Sequence, residues 1–520
     1  MNEVCTWNDP VNFDCSTRQS WEGSQGGNCR NSQSQPMQTT INPKPDPNVN
    51  QQNGHDYNKA VHLSILFYEA QQSGVLSEYN RIPWRNHANL YDGCDAADNQ
   101  QQDLRGGWYD AGDNVKFHHP MSQSAVALFF GAIEFYDSLW NAGEKENMEH
   151  TLKFITDYFL KTHPSPNVYY GQVGIGDYDH NNYARPEYMN DQCRPIWKCD
   201  ESHPCTEPAA ETAAALAAAF IFFDKQNYVD FPETCLEKAI SLITYADNFR
   251  DKYTNSIPDA QSYYGSFGGY FDELVDGYAW IAKAYDYKGD EANKNFYLQK
   301  AMDLYDQNLD NDGDIWEYSW DDKTASALLN LAELSPADKA DKYWRALDNF
   351  VNYKFVNRPE TTNFGIPWVS QWGSNRYSAN LAFIGMMAAK KHHTNNKPWS
   401  SGLDEQTVIN KCKMVAHYIL GDNPINQSYL IGYGNKYPQY PHHKSSACPK
   451  WGDHCGWETW DDWNGPNPHI LYGAMVGGPD KNDQYNDLRS DYVSNEVTTD
   501  YNAGFTSLIL GLKDNVEHWE

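Results

Sequence analysis

The sequence predicts an all-α fold, about twelve helices closed into an (α/α)6 barrel whose long loops form a groove on one face. Three observations carry this. Apolar residues recur at helical spacing in about twelve segments from Asp56 onward. Strand-like alternation is almost absent. The helical run is uninterrupted and shows no repeat period, so six pairs in a double ring explain it better than a stacked solenoid.

The segments follow in order. Tyr57 to Gly74 places Ala60, Leu63, Leu66 and Phe67 on one face, and Met121 to Ala142 does so with Ala125, Leu128, Phe129, Ile133 and Phe135. Met148 to Leu160 follows, then the Ala-rich Pro208 to Phe223. The remainder are Pro232 to Phe249, Phe271 to Tyr285, Asp290 to Tyr305, Asp322 to Glu333, Pro336 to Val351, Arg376 to Lys391, Asp404 to Leu420 and Tyr501 to Leu512. Pro or an acidic residue at several starts supports the boundaries. Long connections rich in Gly, Trp, Tyr, Asp and His lie at 75–120, 163–207, 254–270, 306–321, 355–375 and 421–500. Loops of such length are uncommon unless functional. If helices alternate between outer and inner rings, alternate connections share one rim.

Residues 1–53 read as a separate piece, and 54–520 as the barrel. The first piece has three cysteines and ends in a Pro-rich tether, Asn42 to Pro47. It is either a small disulfide-bonded module with a linker or a wrapped or disordered extension. The opening Met1-Asn2-Glu3 does not begin a signal peptide. That leaves a cytosolic protein or a mature form with an added start residue. Eleven cysteines, clustered in loop-like stretches, favour the second and predict a secreted, extracellular, disulfide-bonded protein. Their spacings do not suit zinc. Cys235 and Cys412 fall in helical patterns and read as buried thiols.

The net charge of -30 argues against nucleic acid and anionic membrane surfaces, and no apolar run is long enough to span a bilayer. With 18 Trp, 36 Tyr and 21 Phe, the chain has more aromatic surface than a core needs, and such rings stack on flat ligands. A neutral polymer or a cationic ligand remains open as the partner, and the chain is expected to be a monomer.

Three loop stretches are dense in polar and aromatic residues. The first is Gly106 to Phe117, with Asp110 and Asp113 three residues apart. The second runs from Tyr433 to Lys444 and the third from Asp491 to Val497. Alone, the first reads equally as a solvated turn or a cation site. The His442-His443 pair lacks a spaced third metal ligand. Together, two aspartates, a distant Glu496, His and stacking aromatics are what glycosidic hydrolysis needs. One acid protonates the leaving oxygen and an opposed carboxylate activates water. No Gly-x-Ser-x-Gly elbow, P-loop or dinucleotide fingerprint competes.

These three stretches resemble the signature regions of glycoside hydrolase family 9, mostly endo-β-1,4-glucanases. Further matches follow in order: Phe67 to Gln71, Asn80 to Arg85, Ala209 to Ala215, Asp272 to Val275, Trp320 to Lys323 and Ile470 to Ala474. The resemblance spans about residues 54 to 515. It implies an (α/α)6 barrel and a cellulase acting on cellulose or related β-glucan with inversion. Asp113 is then the general base, Asp110 its partner in holding water, and Glu496 the general acid. His442, Tyr264 and His180 match sugar contacts around the cleaved bond. Trp316 and Trp372 match stacking platforms, with core packing as their plain alternative, and Arg376 a polar contact beside the second. A structural calcium is implied at Gly268, Gly269, Asp272, Glu273 and Asp321; no organic cofactor is implied. Gly268 stands where a hydroxyl side chain usually contributes. Asp310 to Asp314 resembles a calcium loop but reads better as a solvated turn. Lys444 stands in place of the usual Arg, and Phe267 and Tyr183 each where Trp is usual; these bear on substrate grip. A processive or exo-acting glucanase, a xyloglucanase, a non-catalytic carbohydrate-binding protein and a calcium-dependent adhesion module are the competing readings. The intact Asp110, Asp113 and Glu496 weigh against the last two.

Overall fold

A computed structural model of the chain describes residues 54–94, 101–189, 194–309, 316–400, 402–450, 453–461 and 465–514. The readings of residues 1–53 and of Asp310 to Asp314 lie outside these. Twelve helices of eleven or more residues are present among the described residues. They are α1 (Tyr57–Ala70), α2 (His118–Glu134), α3 (Lys145–Thr162), α4 (Thr206–Lys225), α5 (Phe231–Asn248), α6 (Phe271–Lys288), α7 (Glu291–Asn308), α8 (Thr324–Leu334), α9 (Ala337–Phe350), α10 (Ser374–Thr394), α11 (Glu405–Leu420) and α12 (Thr499–Lys513). The segment expected at Met121 to Ala142 is two helices, because the backbone leaves the helical region at Phe135 and restarts in Tyr136–Ala142. Asp56, Asp290, Asp404 and Thr498 each accept a backbone N–H of the first turn, of α1, α7, α11 and α12. Such a cap contributes about 1 kcal/mol.

The even-numbered helices form a closed inner ring: α2 packs on α4, α4 on α6, and so on to α12, which returns to α2. The odd-numbered helices lie outside them. Composition explains the division. Inner α4 is buried continuously from Thr206 to Phe223, and its alanines let two neighbours and an outer helix approach together. Outer α3 buries only one stripe, including Met148, Leu152, Ile155 and Phe159. Each such large apolar side chain contributes about 1.5–3 kcal/mol by leaving water. Outer α1 is an exception, buried along most of its length, because the last long loop covers it: Gly432 and Gly473 pack against Leu63.

The C-terminal ends of four inner helices are tied by alternating charge. Lys283 Nζ lies 3.0 Å from Glu134 and 2.7 Å from Glu333, and Lys391 Nζ lies 3.3 Å and 2.6 Å from the same two carboxylates. All six long connections run from an outer helix to the N-terminus of the next inner helix, so they share the opposite rim. Among the described residues they contain one departure from the all-α expectation, a small antiparallel sheet of β1 (Lys116–Phe117), β2 (Tyr169–Val173) and β3 (Ile196–Cys199). Its strands are too short to show period-two alternation. It braces the stretch carrying Asp110 and Asp113 against the next loop. Cys199 is bonded to Cys205 and Cys448 to Cys455, while Cys235 and Cys412 are buried thiols. No described helix is long and apolar enough to cross a membrane.

Candidate active site

The three polar stretches are joined edge to edge above the inner ring. The first closes on itself as Asp110 N–H donates to the Val115 carbonyl at 3.0 Å. Lys444 N–H then donates to the Gly112 carbonyl at 2.9 Å. Only glycine fits there, since a Cβ on Gly112 would lie 2.1 Å from the His442 carbonyl oxygen. His442 in turn bridges Glu496, with its N–H on the Asn495 carbonyl at 2.9 Å. Thr499 N–H, in the first turn of α12, returns to the Asp110 carbonyl at 3.0 Å. Residues nearly four hundred positions apart are thereby held in one backbone framework.

Asp110 and Asp113 are both buried. Asp113 accepts its own loop's N–H groups, Ala111 at 3.2 Å and Val115 at 3.3 Å. Asp110 Oδ2 accepts the Tyr264 hydroxyl at 2.6 Å, and its Oδ1 has no protein partner among the described residues. Burial raises both carboxyls above their ordinary range. Asp110 goes well above it because the charge of Asp113 adds to burial, whereas His180 and Lys444 pull Asp113 back. Glu496 lies close enough for its charge to act on Asp110. Its Oε2 accepts the Tyr501 hydroxyl at 2.7 Å and the Trp372 indole N–H. Burial nevertheless pushes its carboxyl up to about 7. The site thus holds two neighbouring aspartates, one with an oxygen that lacks a protein partner among the described residues, and a glutamate that holds a proton near neutrality.

The remaining residues singled out in the sequence divide into two sets. Trp316, Trp372 and Phe267 are 58%, 47% and 73% exposed, so none packs in the core. His180 is exposed and stacks on Tyr263, centroids 4.9 Å apart. His442 is half-buried, with Nδ1 held by the Arg489 carbonyl at 2.8 Å. Burial lowers its ring to about 4, so it is neutral. The second set lies beneath the surface. Lys444 places its ammonium on Asp179 Oδ1 at 2.8 Å and on the carbonyls of Asp179 and Asn182. Arg376 donates to Asp500 at 3.0 Å and its guanidinium lies over the rings of Tyr377 and Tyr501. Tyr183 is buried beside Trp460 and Trp457, its hydroxyl on the Lys444 carbonyl at 3.2 Å. Tyr501, Asp500 and Asp179 escaped the sequence reading. Tyr501 and Asp500 lie just past the third stretch, in the helix's first turn, and only α12's orientation aims Tyr501 at Glu496.

The implied calcium ligands lie together at the start of α6 and before α8. Asp321 accepts the N–H groups of Phe267 at 2.8 Å and Gly268 at 3.0 Å, and Asp272 accepts Lys323 N–H at 2.7 Å. Glu273 carries the Lys323 ammonium at 2.8 Å. Burial raises Asp321 to about 6 and neighbouring Glu207 to about 7. Lys323 balances only part of this acidity. Each carboxylate oxygen has a second lone pair, so the donor set of Asp272 and Asp321 fits a hard cation. Glu273 fits less well because the lysine already occupies it.

Residues 57–509 match the family model for glycosyl hydrolase family 9. Endoglucanase 4 of Bacillus sp. (strain KSM-522) is 39% identical over 467 residues, covering 87% of this chain and 68% of that protein. Endoglucanase 6 of Arabidopsis thaliana is 36% identical over 483 residues, covering 88% and 75%. Among solved structures, an endoglucanase from the termite Nasutitermes takasagoensis superposes with TM-score 0.80 at 40% identity, covering 89% of this chain and 99% of that one. Endoglucanase CelQ of Clostridium thermocellum, complexed with cellotetraose, superposes with TM-score 0.73 at 30% identity, covering 88% and 70%. Together with the closed double ring, these matches establish that the chain belongs to glycosyl hydrolase family 9, as a glycoside hydrolase of the cellulase type.

Proposed function

We propose that the chain cleaves internal β-1,4-glucosidic bonds of cellulose and related β-glucans with inversion, Asp113 acting as general base and Glu496 as general acid. The carrying observation is the grouping of three carboxyls: one backbone framework holds the stretches of Asp110, Asp113 and Glu496 together, and Glu496 is pushed up to about 7. A carboxyl that keeps its proton near neutrality is what the general-acid role requires. Of the aspartates, Asp113 ionises first, because His180 and Lys444 favour its anion. Asp110 has an oxygen without a protein partner, fitted to orient the attacking water. As the bond breaks, Glu496 gives its proton to the leaving oxygen while water loses one to Asp113.

Trp316, Trp372 and Phe267 offer faces to the apolar sides of glucose rings, and neutral His442, Tyr264 and His180 offer hydrogen bonds near the cleaved bond. Lys444, Arg376 and Tyr183 have engaged polar ends, so we assign them to holding the loops beneath those contacts. The relatives' endoglucanase names and the cellotetraose complex of CelQ support the substrate class. Loop disulfides fit a secreted protein. Calcium, held by Asp272 and Asp321 with Gly268, Gly269 and Glu273 around them, would brace the loop before α6 and take no part in proton transfer.

Asp113→Asn and Glu496→Gln should each reduce hydrolysis of mixed-linkage β-glucan by at least about a hundredfold, with cellotetraose binding retained. The first-formed reducing end should be the α anomer by NMR. Near-normal rates in either variant, or β anomer appearing first, would overturn the assignment.

A further inference from the structure

Away from the groove, His55, His417 and Asp422 form a compact group. His55 stands just before α1, His417 lies in the last turn of α11, and Asp422 follows Gly421 at that helix's end. His55 Nε2 is 3.1 Å from Asp422 Oδ2, and His417 Nδ1 is 3.7 Å from the same oxygen. The three atoms all lie within 4.8 Å of one another. We infer that these side chains bind one divalent transition-metal ion of the zinc type, with its fourth position open to water.

Geometry supports this first. Bonds of about 2.0–2.1 Å in a tetrahedral site place neighbouring ligand atoms about 3.3 Å apart. The two separations to Asp422 Oδ2 bracket that value. Orientation supports it next. Metal-bound histidines are held through the ring nitrogen that faces away from the ion. Here His417 Nε2 meets the Tyr57 hydroxyl at 2.7 Å, and His55 Nδ1 meets the Tyr433 hydroxyl at 3.3 Å. With an ion bound, both of these nitrogens donate to the tyrosine oxygens, and Nδ1 of His417 and Nε2 of His55 are free to ligate. Two imidazoles and a carboxylate suit zinc and its borderline neighbours rather than calcium. The opposing influence is Lys413, one turn earlier on α11, whose charge disfavours a nearby cation. Asp422, 63% exposed, offsets it and leaves the site open to solvent.

An ion here would clip the segment entering α1 to the end of α11. The reading of the groove does not enter into this, and the test is independent of hydrolysis. Full-length protein without a histidine tag, stripped with chelator and held in excess calcium, is titrated with zinc by calorimetry and with cobalt(II) by visible absorption. One tight zinc equivalent is expected, together with the strong visible bands of a nitrogen-ligated tetrahedral cobalt(II). Asp422→Asn and His417→Gln should each weaken that equivalent by at least about tenfold and remove the zinc-dependent rise in Tm. Asp422→Asn is the safer variant for folding because the side chain is exposed. Affinity unchanged in both variants, or wild-type cobalt(II) spectra without nitrogen ligation, would overturn the site.

Discussion

Replacing Tyr501 with Phe tests how the proton on Glu496 is set. The Tyr501 hydroxyl donates to Glu496 Oε2 at 2.7 Å, and its ring lies under the Arg376 guanidinium, 5.0 Å away. Phenylalanine keeps the ring and removes the donor. A hydrogen bond to a charged acceptor contributes about 1.5–3 kcal/mol. The Trp372 N–H remains on the same oxygen, so the lower figure applies. At 1.36 kcal/mol per pH unit, the loss raises the Glu496 carboxyl by about one unit. The sign is fixed because the lost bond favoured the anion. Starting from about 7, the protonated fraction at pH 8 rises from about a tenth to about a half. The assay is the pH dependence of kcat/KM on cellotetraose, which reports the free enzyme. Its alkaline limb should move up by about one unit while the plateau falls, since a weaker acid transfers its proton less readily. A nitrophenyl cellobioside, whose leaving group needs little protonation, should show a much smaller change. An alkaline limb that stays in place or moves down in folded Tyr501→Phe would refute this account of Glu496.

Other expectations follow from the same geometry. Gly112→Ala puts a methyl 2.1 Å from the His442 carbonyl oxygen and 2.8 Å from His443 Cα. It should cost about 1–3 kcal/mol in urea unfolding and more in activity than in stability; wild-type kcat/KM would show that the two stretches need not touch. Glu134→Gln leaves Lys283 and Lys391 with half their carboxylates. It should destabilise by up to about 3 kcal/mol, the low end for a buried pair because these side chains keep some exposure. Burial opposes the Glu134 anion, but its lysine partners outweigh burial and hold its folded value below the usual carboxylate range. Its stabilisation is therefore complete above the ordinary carboxylate pKa and is lost as pH falls through the depressed value, so acid unfolding of Glu134→Gln should be flatter below about pH 4. Calcium should raise the Tm of wild type but not of Asp321→Asn; equal shifts in both would remove Asp321 from the ligand set.

Much of the fold was legible in the residue order because helices write themselves in local spacing. Pro232 to Phe249 and Asp404 to Leu420 emerged within a residue or two as α5 and α11. Alternation of long and short connections told which ends share a rim. The three-stranded sheet was not legible, since a two-residue strand such as Lys116–Phe117 has no period and exists only by pairing with Val173 and Gln172.

At the site, the sequence by itself determined the chemical inventory: Asp110, Asp113 and Glu496, and the aromatic loops around them. Tertiary structure decided what each side chain faces. Lys444 and Arg376 look from sequence like charges offered to a ligand, yet each is drawn beneath the groove by a buried aspartate, Asp179 and Asp500, distant in the chain. Burial raised Glu496, and that burial exists only once distant residues such as Trp372 and the α12 residue Tyr501 are folded against it. Residue types are carried by the chain, whereas pKa values and free lone pairs depend on desolvation and partners, which exist only after the two rings have closed.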